Sequence, residues 1–169
     1  IYNVSANREN NLKFDLQNKG VTVEFWLQKD GFSPHVIPPD LNTKKEVIFD
    51  LWNGEASSSA DYGRLTIELS GTTASESPFY VTAQSGSAGF FNQQIGSSIA
   101  GTGSLTSWKH YAFSFLSASS GITTKLHVNG NLNHETIIGS SGINEVIEPL
   151  IANVGALRSA PSGNAFHGN

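Results

Sequence analysis

The chain contains no cysteine and no methionine. Without cysteine there is no disulfide framework and no thiolate chemistry, so the fold must rest on packing alone. Charge is scarce too. Only 14 % of the 169 residues are charged and the net charge is -4, where about 25 % charged is usual. No basic run exists, which removes the surface that nucleic-acid phosphates require. No apolar run approaches the ~20 residues of a membrane-spanning helix, so membrane insertion of that kind is not expected. Methionine is missing even at position 1. The expectation is an excised part of a longer chain, with residues 1–169 forming one domain, since a domain commonly holds roughly 100–200 residues.

Polarity comes instead from Ser, Thr, Asn, Gln and 17 Gly, and the dominant pattern has period two. In Val21-Thr22-Val23-Glu24-Phe25-Trp26-Leu27 the residues Val21, Val23, Phe25 and Leu27 share one face. The same alternation runs through Leu65–Leu69, Tyr111–Phe115 and Lys125–Val128. Alternation sets one residue row against a core and the other toward solvent. Further strands are expected at Leu12–Leu16, Glu46–Trp52, Pro78–Gln84, Thr136–Ile138 and Leu150–Val154. The predicted core is Val21, Val23, Phe25, Leu27, Leu65, Ile67, Leu69, Tyr111, Phe113, Phe115, Leu126 and Val128. Asn129-Gly130 between two apolar stretches reads as a tight hairpin. No helical period is present, and Ile143–Ile147 would form one turn at most. Two long loops are expected, Gly31–Lys45 with its three prolines and the Gly/Ser/Gln-rich Ser85–Ser107. Many short antiparallel strands at this length predict two packed sheets.

Four segments in order carry a family resemblance. Val21–Leu27 resembles the opening strand of laminin-G-like, concanavalin A-like jelly rolls. Trp108-Lys109-His110-Tyr111-Ala112 resembles their W-x-H-[hydrophobic]-A strand, and Leu126-His127-Val128-Asn129-Gly130 the hairpin after it. Ile151–Ala156 with Phe166-His167-Gly168 resembles the closing I-G-x…F-x-G segment. The resemblance implies an all-β antiparallel sandwich and a recognition module. It also implies one more strand after Gly168, so either the parent chain is expected to continue past Asn169 or a neighbouring chain to add a strand beside Val21–Leu27 or Leu12–Leu16, the rival being that Tyr2–Ser5 fills its place. Asp50–Gly54 and Asp61–Leu69 are similar to modules of marine bacteriophage structural proteins. That similarity implies a virion, cell-surface or otherwise extracellular location.

Catalysis has little support. Jelly-roll glucanases carry E-x-D-x-x-E on one strand, placing three acids on one groove, and no such run exists here. Glu24 and Glu68 are the acids left to pair, and solvated outer positions are expected for both. A G-x-S-x-G elbow is also missing. Ser59–Gly63 matches part of the sialidase S-x-D-x-G box but reads as a turn. His127 and His134 flank a hairpin, where surface or hydrogen-bonded roles are expected over zinc.

The domain is therefore expected not to be an enzyme. A glycan or a neighbouring protein chain is the expected partner. Lectin sites combine aromatic rings with amides. Trp52, Tyr62 and Tyr80 lie on or beside the polar rows of their strands, and Asn53 and Gln84 supply amides. These five are the ligand-binding candidates, while Trp26 and Trp108 are assigned structural roles. The resemblance also offers Asp61 as a calcium ligand. Calcium takes about 6–8 oxygens, and the loop Leu116–Gly121 lacks the second Asp or Asn that the family uses.

Overall fold

The computed structural model describes residues 20–29, 46–69, 77–96, 105–143, 146 and 150–155. The chain forms an all-β antiparallel sandwich. Nine strands are described: β1 (Val21–Leu27), β2 (Glu46–Trp52), β3 (Gly63–Leu69), β4 (Phe79–Ser85), β5 (Ala88–Ile95), β6 (Lys109–Ala118), β7 (Gly121–Val128), β8 (Asn131–Ile138) and β9 (Ile151–Val154). One sheet runs β1-β6-β7-β8 and the other β5-β4-β3-β2-β9. No described helix is long and apolar enough to cross a membrane.

The period-two rows meet between the sheets. Leu65, Ile67, Leu69, Tyr111, Phe113, Phe115 and Leu126 are buried, as the alternation predicts. Val21, Val23, Phe25, Leu27 and Val128 pack against them but stay partly buried. Four rings cross the interface. Phe25, Tyr111 and Phe113 of the four-stranded sheet face Phe79 of the other, with Phe79 centroids 5.0 Å from Tyr111 and 5.2 Å from Phe113. Phe25 completes the set at 6.0 Å from Phe113 and 6.4 Å from Phe79. Tilted and edge arrangements at such spacings suit the ring quadrupoles.

Turn chemistry matches the hairpin expected at Asn129-Gly130. Asn129 has φ 50° and Gly130 φ 79°, the paired positive angles of a type I′ turn. The Asn129 backbone N–H donates to His110 O at 2.8 Å. Its Oδ1 accepts from the His110 N–H at 2.9 Å.

One expectation changes. Ser85–Ser107 is not one long loop, because Ala88–Ile95 forms β5 and pairs with β4. Its alternation is broken by a bulge: the register shifts between Val81 and Ala83, and Asn92 takes φ 53°. Phe90 and Ile95, five positions apart, consequently both face the core. Strict alternation would set such a pair on opposite faces. A second bulge, between Leu126 and His127, governs β8. It leaves Leu132 exposed opposite His127, while His134 pairs with core Leu126 and accepts from the Gly96 N–H at 2.8 Å. The two histidines point to opposite faces, so they do not meet as a zinc pair. Leu12–Leu16, Gly31–Lys45 and Phe166–Gly168 lie outside the described residues. Ile143 and Val146 of the suggested turn are buried, and its other residues lie outside the described set.

Tyr111 is fully buried and its hydroxyl has no hydrogen-bond partner. Burial pushes its pKa above the ordinary value of 10.0. The folded state therefore holds this proton longer than the unfolded state, and stability falls as pH rises past about 10. Replacing Tyr111 by Phe removes an orphaned polar group, whose burial costs about 1–3 kcal/mol. Tyr111→Phe is expected to raise the denaturation midpoint at pH 7 and to flatten the alkaline decline. Urea titrations at pH 7 and pH 10.5 check both; a less stable variant would mean that the hydroxyl is satisfied.

Candidate functional site

The outer face of the five-stranded sheet gathers most of the expected ligand residues, but not as an open site. Strand register lines up Asn153, Asp50, Thr66 and Thr82 in one row, and Ile151, Trp52, Arg64 and Gln84 in the next. Asp50, Thr66, Glu68 and Thr82 are buried. Glu68 is thus not the solvated acid that its strand position predicts. It sits on β3, the central strand of five, where neighbours flank both sides. Asp50 is tied to Arg64 through Nε–Oδ1 at 2.9 Å and Nη2–Oδ2 at 3.3 Å. Burial alone would lower the Arg64 pKa, yet hydrogen bonding and charge from Asp50, joined by Tyr62, hold it above its ordinary value.

Trp52 lies under that guanidinium, with 5.1 Å from the ring centroid to Cζ. Its Nε1 donates to Glu55 O at 2.9 Å, and the side chain is buried. Tyr62 is buried beside it. These two rings are occupied in supporting the β2–β3 connection. Asn53 is equally committed: its Oδ1 accepts from the Glu55 and Gly63 N–H groups, and its Nδ2 donates to Asp61 O. Tyr80 and Gln84 are half-buried on β4, four residues apart, a separation of about 13 Å along a strand. The five expected residues therefore divide into a closed corner (Trp52, Asn53, Tyr62), Gln84 beside Arg64, and a distant Tyr80.

Asp61 is exposed, and its N–H donates to Ser59 Oγ at 3.2 Å. Its surroundings are those of a turn residue. Among the described residues no group of three or more His, Cys, Asp or Glu converges anywhere. One carboxylate does not fit an ion that takes about 6–8 oxygens. Glu24 and Glu68 lie on the outer faces of opposite sheets. Stacked sheets are about 10 Å apart and these side chains point away from each other, so this pair cannot flank one glycosidic bond.

The other outer face carries a cluster that was assigned no binding role. Trp26 is 64 % exposed and Trp108 63 %. Trp26 pairs with His110 across β1 and β6, their rings 5.5 Å apart and tilted by 51°. Trp108 stands two residues before His110. Continuing the register past Leu27↔Lys109 sets exposed Gln28 beside it. Gln28 Nε2 donates to Thr106 O at 3.0 Å, and the Lys29 N–H to Leu105 O at 2.8 Å, which clamps the end of β1 to the segment leading into β6. Glu24 Oε2 lies 3.3 Å from His110 Nε2. The exposed Asn129 of the hairpin closes the rim and holds both backbone polar groups of His110. Alternation already implied this arrangement. If Val23, Phe25 and Leu27 face the core, Trp26 faces out, and Tyr111 and Phe113 likewise turn His110 and Trp108 outward.

No family model, no curated protein and no solved structure matches this chain.

Two outcomes follow for the closed corner. Arg64→Met removes the cation held against the buried Asp50 carboxylate and is expected to destabilise the fold by about 3–5 kcal/mol, read from chemical denaturation. Millimolar calcium is expected to leave the melting temperature unchanged, because a ligand that binds the native state raises it. A calcium-dependent rise that Asp61→Ala abolishes would make Asp61 a ligand.

Proposed function

We propose that this chain is a non-catalytic carbohydrate-binding module of the concanavalin A-like, laminin-G-like jelly-roll type. It serves a larger extracellular, cell-surface or virion protein. The observation that carries the reading is the exposed pair Trp26 and Trp108, set around His110 on a rigid strand end and rimmed by Gln28, Glu24 and Asn129. A sugar ring has an apolar C–H face and an equatorial belt of hydroxyls. The C–H face stacks on the negative face of an indole, and the hydroxyls exchange hydrogen bonds with amides and a carboxylate. Both indoles already lie largely in water, so a flat ligand removes apolar surface without reorganising the fold. Backbone hydrogen bonds at the β1 and β6 ends hold the rings in place and reduce the entropy lost on binding.

A second reading, a purely structural packing module, draws on Leu116 and Ile137. Both are exposed at the far end of the same face, across Thr123. Between the two ends lie the Lys125–Glu135 ion pair, Thr22 and Ser114. That polar belt divides the apolar residues, whereas a packing face would be continuous.

A glycan array on the purified chain tests the proposal, followed by titration of the best binder. Trp26→Ala and Trp108→Ala are each expected to weaken binding at least tenfold, about 1.4 kcal/mol or more. Stability should change by no more than about 0.5 kcal/mol, as for exposed positions. Unchanged affinity in both variants would remove the site, and an array without binders would remove the function.

A further inference from the structure

β5 and β8 are edge strands of different sheets, and they lie against one another along one side of the sandwich. Both bring core residues to that side: Ile95 is fully buried at the end of β5, and Ile138 of β8 packs on the core. No ladder joins the two strands, so side chains must fasten them. The buried Gly96 N–H, directly after Ile95, donates to His134 Nδ1 at 2.8 Å. His134 is held in place on β8 opposite core Leu126. A ring nitrogen accepts a hydrogen bond only through its lone pair, so this bond requires the imidazole with Nδ1 bare and the proton on Nε2. The opposite side of the sandwich is fastened by other chemistry. Lys29, just past β1, meets Glu46 at the start of β2, with Nζ 2.7 Å from Oε2.

We infer that His134 is an acid-sensitive clasp: mild acid releases the β5–β8 side of the sandwich while the β1–β2 side stays closed. Histidine is the side chain that takes up its proton between about pH 5 and 8. A proton on Nδ1 turns the acceptor into a donor aimed at the Gly96 N–H, and the bond is lost. The buried N–H then stands without its partner, which is the costly outcome for a polar group. The strands packed here supply no compensating charge among the described residues. β5 carries no titratable side chain. On β7, Lys125 is on the outer face, paired with Glu135 of β8, and His127 faces away from His134. The bond therefore contributes stability above the histidine range and none below it. A carboxylate keeps its charge well below the pH at which imidazole takes a proton, so the Lys29–Glu46 pair survives the same change. What loosens is the end of an edge strand, which opens locally without unfolding the central strands.

Amide hydrogen exchange of the intact chain, followed by NMR and corrected for the intrinsic rate, tests the clasp at about pH 7.5 and about pH 5. Protection of the Gly96 amide is expected to fall about tenfold or more at the lower pH, with the amides of the central strand β3 unchanged. His134→Gln and His134→Leu do not titrate, and each is expected to give Gly96 the same protection at both pH values. Equal protection of Gly96 at both values in the wild-type chain overturns the inference. An equal loss across β3 overturns it too, because the opening is then global. A pH dependence that persists in either variant assigns the proton to another group and has the same consequence. Should neither variant fold, the wild-type titration decides: the Gly96 amide shift must follow the His134 ring signals with one midpoint, and separate midpoints contradict the clasp.

Discussion

The sandwich depends on the contact between Phe79 and the rings of Phe25, Tyr111 and Phe113. These are the large aromatic contacts that join the two sheets, with centroid distances from 5.0 to 6.4 Å. Each sheet alone would expose an apolar row that no disulfide compensates. Closing the rows on one another fixes the phase of β1, β4 and β6 together. Once Phe25 and Tyr111 point inward, the residues between them have no choice. Trp26 and His110 must point outward, because side chains on a strand alternate. The exposed ring cluster is thus a consequence of the core rather than an addition to it.

The two outer faces then differ for reasons that lie in their residues. On the five-stranded sheet the polar row satisfies itself: Asp50 holds Arg64, Arg64 covers Trp52, and Thr82 Oγ1 accepts from the Asn92 N–H at the β5 bulge. Buried polar groups of this kind specify a sheet but leave little for a ligand. On the four-stranded sheet the polar groups around Trp26 and Trp108 are spread along a rim, and the rings stay in water.

Much of the fold was legible because period two is strict in β1, β3 and β6, and the Asn129-Gly130 turn has only one comfortable geometry. The misreadings have a common cause. At Asn92 and again next to His127 one extra residue enters a strand, and every side chain beyond it changes face. A loop was consequently read where β5 runs, whereas His127 and His134, set on opposite faces, keep the surface and hydrogen-bonded roles expected of them. The proposed rim was given no binding role for another reason. Trp52 and Tyr62 look available by alternation, since they do face away from the core. Alternation says nothing about burial by ion pairs and loops on that side. Trp26 and Trp108 were legible as outward-facing, but tryptophan's size favoured a structural role over an exposed one.

Tryptophan fluorescence reads the central claim, because the three indoles occupy two distinct environments. Trp26 and Trp108 are exposed and Trp52 is buried. Acrylamide quenching measured with and without a bound oligosaccharide separates them. Recognition at the Trp26–Trp108 rim predicts that the ligand removes most of the quenchable fraction and shifts the emission to the blue. A saccharide that binds saturably while leaving both quenching and emission unchanged would contradict it.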